Sequence, residues 1–139
     1  MNVIKQIAHV CVVARDMRKT VAFYTRVLGL RVQFKFLQHR KIVGYYLNAG
    51  GNSFIEVFEQ PTGQSLRHVG ALRHICLEVD SIKKLEKRLA AKNWKHTEPR
   101  LGADNCWQMW TEDPDGVRIE FHEYTKASTQ LTKKPCRLP

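Results

Sequence analysis

The sequence has no apolar run approaching the roughly 20 residues needed to cross a bilayer, so no membrane-spanning helix is expected. Its first ten residues, MNVIKQIAHV, lack the apolar core and small-residue cleavage site of a signal peptide, and a cytoplasmic location is expected. Only four cysteines occur, Cys11, Cys76, Cys106 and Cys136. They form neither a CxxC pair nor a tight cluster, which favours free thiols over disulfides. Acidic residues are also in deficit: 13 Asp and Glu stand against 23 Lys and Arg, for a formal net charge of +10. That excess is spread along the chain with no RNP-like aromatic motif or helix-turn-helix pattern beside it. It is read as solvated surface, and no nucleic-acid partner is expected.

What is present is a repeat. The 139 residues suffice for one domain with a core. Residues 3–13, VIKQIAHVCVV, are rich in β-branched residues and predict a strand. Asp16 sits at an N-cap position, and Met17, Val21, Tyr24 and Leu28 form a helical stripe that Gly29 ends. Strands are predicted at 31–37, 42–48 and 53–59, the last two joined by a turn at NAGGN, 48–52. The order is βαβββ. It recurs after a linker at 60–71, with a strand at 72–79, LRHICLEV, and an N-cap at Asp80 or Ser81. Ile82, Leu85 and Leu89 make the helical stripe, followed by a short strand near 94–98 and another at 106–112. The turn DPDG, 113–116, leads to a last strand at 117–124. The expected class is α+β: a single domain over 1–124 made of two βαβββ modules, 3–59 and 72–124, with a polar, partly mobile tail at 125–139.

The repeat keeps more than apolar periodicity. His9 and His74 lie 65 residues apart, and Glu56 and Glu120 lie 64 apart. Because strand side chains alternate faces, Glu56 shares its face with Phe54 and Phe58, and Glu120 with Arg118 and His122. A carboxylate among apolar strand neighbours is costly to bury unless a cation sits beside it. Two neutral imidazoles and two carboxylates balance a divalent ion, and such N and O donors suit Zn, Ni, Co, Fe or Mn rather than Ca. Cys11 and Cys76 occupy equivalent positions, as further ligands or, more in keeping with free cysteine, as small core residues.

These residues carry a resemblance. The stretches IAHVCVVARDMRKTVAFYTRVLGL (7–30), FIEVFE (54–59), LRHICLEVDSIKKLEKRL (72–89) and EDPDGVRIEFHE (112–123) resemble the vicinal oxygen chelate superfamily. That group contains glyoxalase I, bleomycin and fosfomycin resistance proteins, methylmalonyl-CoA epimerase and extradiol dioxygenases. The resemblance covers about residues 3–124. It implies an open barrel or cup of paired βαβββ modules, a homodimer, and a metal held by His9, Glu56, His74 and Glu120, the ligand set of the glyoxalase I-like members. It further implies a small substrate with two adjacent oxygens, and a lyase or isomerase reaction in which a ligating Glu moves a proton between neighbouring carbons. Glu120 is expected as principal base and Glu56 as its partner. Trp110, Tyr46 at the 64-residue offset, Gln108 and Phe58 are the expected substrate-binding residues.

One departure is visible. LGADNCWQMWTEDPDG, 101–116, does not match the Lys- and Gly-rich approach to this strand in glutathione-dependent enzymes, and no residue announces glutathione. Two other functions on the same scaffold stay open. One is a non-haem iron dioxygenase; the other is a drug-binding or resistance protein without turnover.

Overall fold

The structure, a computed structural model, describes residues 6–63, 72 and 74–136. Two four-stranded sheets with flanking helices are present, one per sequence copy. The chain divides into two units: the first copy together with the 113–116 turn, and the second copy with the C-terminal segment.

In the first unit β1 (His9–Ala14) leads into α1 (Met17–Ala22), which continues as a π-helical turn, Phe23–Val27. Strands β2 (Arg31–Gln38), β3 (Lys41–Asn48) and β4 (Phe54–Glu59) follow, and the sheet order is β1-β4-β3-β2 with β1 parallel to β4. Asp16 caps α1 by accepting from the amides of Arg18 and Lys19. The helical stripe is shifted from its expected line. Thr20, Phe23, Tyr24 and Val27 are the buried residues, and Met17, Val21 and Leu28 are half-buried. The second half of the helix is a wider turn, in which the Leu28 amide reaches back to the Phe23 carbonyl. Gly29, at φ 87°, then reverses the chain. The face of the sheet opposite the site carries the core: Val12 pairs with Val57, Leu47 pairs with Ile55, and all four are buried.

The DPDG turn is more than a reversal. Thr20 Oγ1 donates to Asp115 Oδ2 at 2.7 Å, the Arg15 amide donates to Asp115 Oδ1 at 3.1 Å, and Tyr24 OH donates to Asp113 Oδ2 at 3.1 Å. Both carboxylates are buried, so the first unit contains a hydrogen-bonded acidic anchor on its helix.

The second unit repeats the order: β5 (Ile75–Glu78), α2 (Ile82–Ala91), β6 (Arg100–Leu101), β7 (Trp107–Glu112) and β8 (Arg118–Glu123). Its sheet runs β5-β8-β7-β6, again with the first and last strands parallel. Ser81 is the N-cap of α2, through the Lys84 amide, and Glu123 takes the Ile82 amide at 2.7 Å. The strand expected near 94–98 is a single bridge from His96 to Thr111. The strand expected over 72–79 is shorter, because Leu72 and His74 lie outside the ladder. Most of the expected linker, 64–71, lies outside the described residues.

The segment expected to be a mobile tail is fastened over its first half. It holds a helical turn, α3 (Thr129–Thr132). Ser128 Oγ accepts from the Thr125 amide at 2.8 Å and donates to the Asn105 carbonyl at 3.1 Å, while Gln130 Nε2 donates to Asp104 Oδ2 at 2.7 Å. Among the described residues no helix is long and apolar enough to cross a membrane.

Candidate metal centre

Each sheet carries the same small constellation on its non-core face. In the first, Cys11 stands beside Glu56 across the parallel β1–β4 ladder, and Tyr46 stands opposite Glu56 across β3–β4. In the second, Cys76 stands beside Glu120 and Trp110 opposite it. A strand's period of two then places His9 and His74, each two residues before its cysteine, on these same faces. His9 Nε2 lies 3.5 Å from Glu56 Oε2, and His74 Nε2 lies 3.3 Å from Glu120 Oε2. The 64-residue offset is thus a structural equivalence as well as a numerical one.

Each histidine leans on its unit's aromatic residue. The His9 and Tyr46 rings meet edge to face with centroids 5.8 Å apart, and Tyr46 OH lies 3.3 Å from His9 Nδ1. The His74 and Trp110 rings meet the same way at 4.8 Å. A polar partner on His9 Nδ1 leaves Nε2 as the atom that faces Glu56.

The surroundings of the two pairs differ. Around His9 and Glu56 the face is aromatic: Phe34 and Phe54 stack on either side of Tyr46 with centroids 4.6 and 4.7 Å away, and Phe58 contacts Phe36 at 4.7 Å. Around His74 and Glu120 the face is polar. Arg118 lies over the Trp110 ring at 4.7 Å, and Gln108 donates to Asp104 Oδ1 at 3.1 Å. A cavity of about 310 Å³ opens beside Trp110, walled also by Trp94, His96, Thr97 and Arg118.

The expected residues are therefore found in two groups. His9, Tyr46, Glu56 and Phe58 share one face, and His74, Gln108, Trp110 and Glu120 share the other. Of the expected pocket residues, Gln108 donates through Nε2 to Asp104 Oδ1. Cys11 and Cys76 are corrected: both are exposed on the site faces, not buried in the cores. Burial and then the Glu56 carboxylate push the Cys11 thiol above its ordinary range. Burial and then Glu120 push Cys76 up to about 12.

His122 was visible in the sequence only as a neighbour of Glu120. Its Nε2 lies 3.0 Å from Glu120 Oε1, so Glu120 has an imidazole at each oxygen. The signal for it is the exchange of Phe58 for His122 at the same offset from the shared glutamate. The donors fit a divalent ion: imidazole nitrogens stand against carboxylate oxygens in both sheets, and Cys76, Glu120 and His122 form a triangle of donor atoms within 4.8 Å.

A profile of the Glyoxalase/Bleomycin resistance protein/Dioxygenase superfamily matches residues 6–121. The uncharacterized protein YwkD of Bacillus subtilis (strain 168) is 28% identical over 128 residues, covering 86% of this chain and 98% of its own. The antibiotic-binding protein TnmS3 from Streptomyces sp. CB03234 superposes with a TM-score of 0.72 at 19% identity, over 90% of this chain and 100% of its own. The lactoylglutathione lyase from Agrobacterium tumefaciens does so with a TM-score of 0.67 at 17% identity, over 88% and 96%. One scaffold serves a lyase and an antibiotic binder, so the fold alone does not separate the two activities and the site residues must.

Proposed function

The chain belongs to the Glyoxalase/Bleomycin resistance protein/Dioxygenase superfamily, and on that premise we propose that it is a metal-dependent lyase or isomerase of the glyoxalase I type. The observation that carries this reading is the duplicated His–Glu pair, with the same register and the same aromatic partner in both sheets. A purely structural repeat has no use for an imidazole–carboxylate pair at equivalent positions. In this reading His9, Glu56, His74 and Glu120 ligate one divalent ion (Zn, Ni, Co, Mn or Fe), with the two pairs drawn from one chain or from two. The assembly is a homodimer. The β2 edge presents exposed Val32, Phe34 and Leu37, a surface that a second copy would cover.

When bound, the ion supplies Lewis acidity to two neighbouring oxygens of a small substrate. The chain's own groups do the rest. Glu120, with an imidazole at each oxygen, accepts a proton from the substrate carbon, and Glu56 serves as the matching acid or base on the other carbon. Trp110 and Tyr46 fix the imidazoles edge-on and wall the substrate. Arg118, above Trp110, offers a cation to an anionic substituent.

A specific observation favours a second reading. The five rings of Phe34, Phe36, Tyr46, Phe54 and Phe58 form a partly exposed aromatic face, suited to stacking a flat ligand without turnover. One experiment separates these readings. The metal-free chain is reconstituted with Ni, Co, Zn, Mn or Fe, and metal content and isomerisation of a hemithioacetal are measured beside His74→Ala and Glu120→Ala. About one ion per chain with turnover, both lost in the variants, supports the enzyme. Oxygen uptake with Fe(II) alone would identify a dioxygenase. Tight binding of an aromatic ligand by the metal-free chain, with no turnover under any metal, would replace the enzyme reading with the binding one.

A further inference from the structure

The two copies differ at one ligand-bearing position. Two residues after its glutamate, the first copy has Phe58 and the second has His122. His122 is 9% exposed, and its Nε2 is shut off from solvent with no hydrogen bond. Glu120 Oε1 is close at 3.0 Å, but the contact is not a hydrogen bond. A buried ring nitrogen near a carboxylate that it does not bond is expensive to maintain. It is well placed if its lone pair is meant for a third atom.

The donors around it define where that atom would lie. Cys76 Sγ, a Glu120 oxygen and a His122 nitrogen fall within 4.8 Å of one another. His74 Nε2 lies 3.3 Å from the other Glu120 oxygen. Tetrahedral ligands on Zn–N and Zn–S bonds of about 2.0–2.3 Å stand roughly 3.3–3.8 Å apart, so small side-chain rotations close the set. His122 also belongs to a triangle with Asp104 and Cys106, but that group is already satisfied. Asp104 accepts from Gln108, Gln130 and the Cys106 amide, and Cys106 Sγ is bonded to Ser128 and Gln130.

We propose that in the second copy Cys76 and His122 join Glu120 and His74 as donors to a thiophilic divalent cation of the Zn²⁺ class. This rests on the reading of Glu120 as a metal ligand. It extends the donor set: a thiolate and a third imidazole join the His–Glu ligands. A sulfur donor selects Zn²⁺ or Co²⁺ over Mn²⁺ and Mg²⁺. The first copy has no counterpart, because the Phe58 ring offers no donor.

The test is a Co²⁺ titration of the reduced, metal-free full chain, read by absorption, with circular dichroism as a check on folding. The expected result is a thiolate-to-cobalt charge-transfer band at one ion per chain. It should vanish in Cys76→Ser and persist in Cys11→Ser. His122→Phe, and His122→Gln as a milder variant, should loosen Co²⁺ by about 10–100-fold. Bound Co²⁺ with only d–d bands would overturn the thiolate ligand and leave the four-residue His–Glu site standing. No Co²⁺ binding by the wild type would overturn both this proposal and the enzyme reading.

Discussion

Gly44 stands directly across the β3–β4 ladder from Phe58, and a Cβ on it would come within 2.7 Å of the Phe58 ring and 2.9 Å of the Val57 carbonyl oxygen. The missing side chain is what lets the ring lie against the sheet and reach Phe36. A ring can move aside but the neighbouring carbonyl cannot, so Gly44→Ala should act as overpacking and cost about 1–3 kcal/mol. Urea unfolding should show a lower midpoint at unchanged m-value. Phe58→Ala in the same chain should recover part of the loss, a coupling that a double-mutant cycle reads directly. A midpoint equal to wild type in Gly44→Ala would mean that the aromatic face is not packed as described.

Tyr24 gives the fold a sensitivity to alkali. Its phenol is fully buried and donates to Asp113. Burial first, and then the Asp113 charge, drive its pKa well above the ordinary 10.0. The raised folded pKa means that the protonated form belongs to the native state. The corresponding stability is complete below about pH 10 and is lost as pH rises beyond it, because the unfolded chain releases the proton first. The slope approaches about 1.4 kcal/mol per pH unit. Tyr24→Phe should lower stability at pH 7 by about 1–3 kcal/mol, because Asp113 Oδ2 loses the phenol's hydrogen bond while Oδ1 keeps the Asp115 amide, and should flatten that alkaline decline. Paired urea curves at pH 7 and above pH 10 check both signs.

How much of this was legible varies with the range of the interaction. The strand order, both N-caps and the His–Glu register follow from local patterns and a fixed offset, and the structure places all four residues in two matched pairs. The π turn was not legible, since apolar spacing of three and four fits a regular helix as well as a widened one. Nor was the anchor at Asp113 and Asp115. DPDG announces a turn through its Pro and Gly, but its bond to Thr20 spans 95 residues and leaves no local trace. Cys11 and Cys76 were misplaced for a related reason. Cysteine is usually buried, yet here the strand's alternation puts both on the site faces, a conclusion available from His9 and His74 two residues earlier.

Ser128 is the hub that ties the C-terminal segment down. Its hydroxyl meets the Thr125 amide, the Asn105 carbonyl and Cys106 Sγ, and Cys106 beneath it is fully buried. Ser128→Ala leaves the Thr125 amide unpaired and should cost about 1–3 kcal/mol. The more telling readout is local. Native-state labelling of Cys106 by a thiol reagent should accelerate in Ser128→Ala, and further in a chain ending at residue 124, as that segment opens. Equal labelling rates in all three would mean that the segment does not cover Cys106.

Cys76 is open to solvent, but burial of its sulfur and then the Glu120 charge hold its pKa at about 12. Since the thiolate is the nucleophile, alkylation of the metal-free chain at neutral pH should be slow at Cys76 in spite of its exposure. Glu120→Gln removes the negative charge, favours the thiolate and should shift the pH–rate profile of Cys76 downward. The shift should stop short of the ordinary 9.0, because burial is the larger cause and remains. Peptide mapping after pulsed iodoacetamide across pH 7–10 measures this site by site, and Glu56→Gln should act on Cys11 in the same direction. If Glu120→Gln leaves the Cys76 profile unchanged, the thiol and the carboxylate do not share a field, and their joint claim on a cation loses its basis.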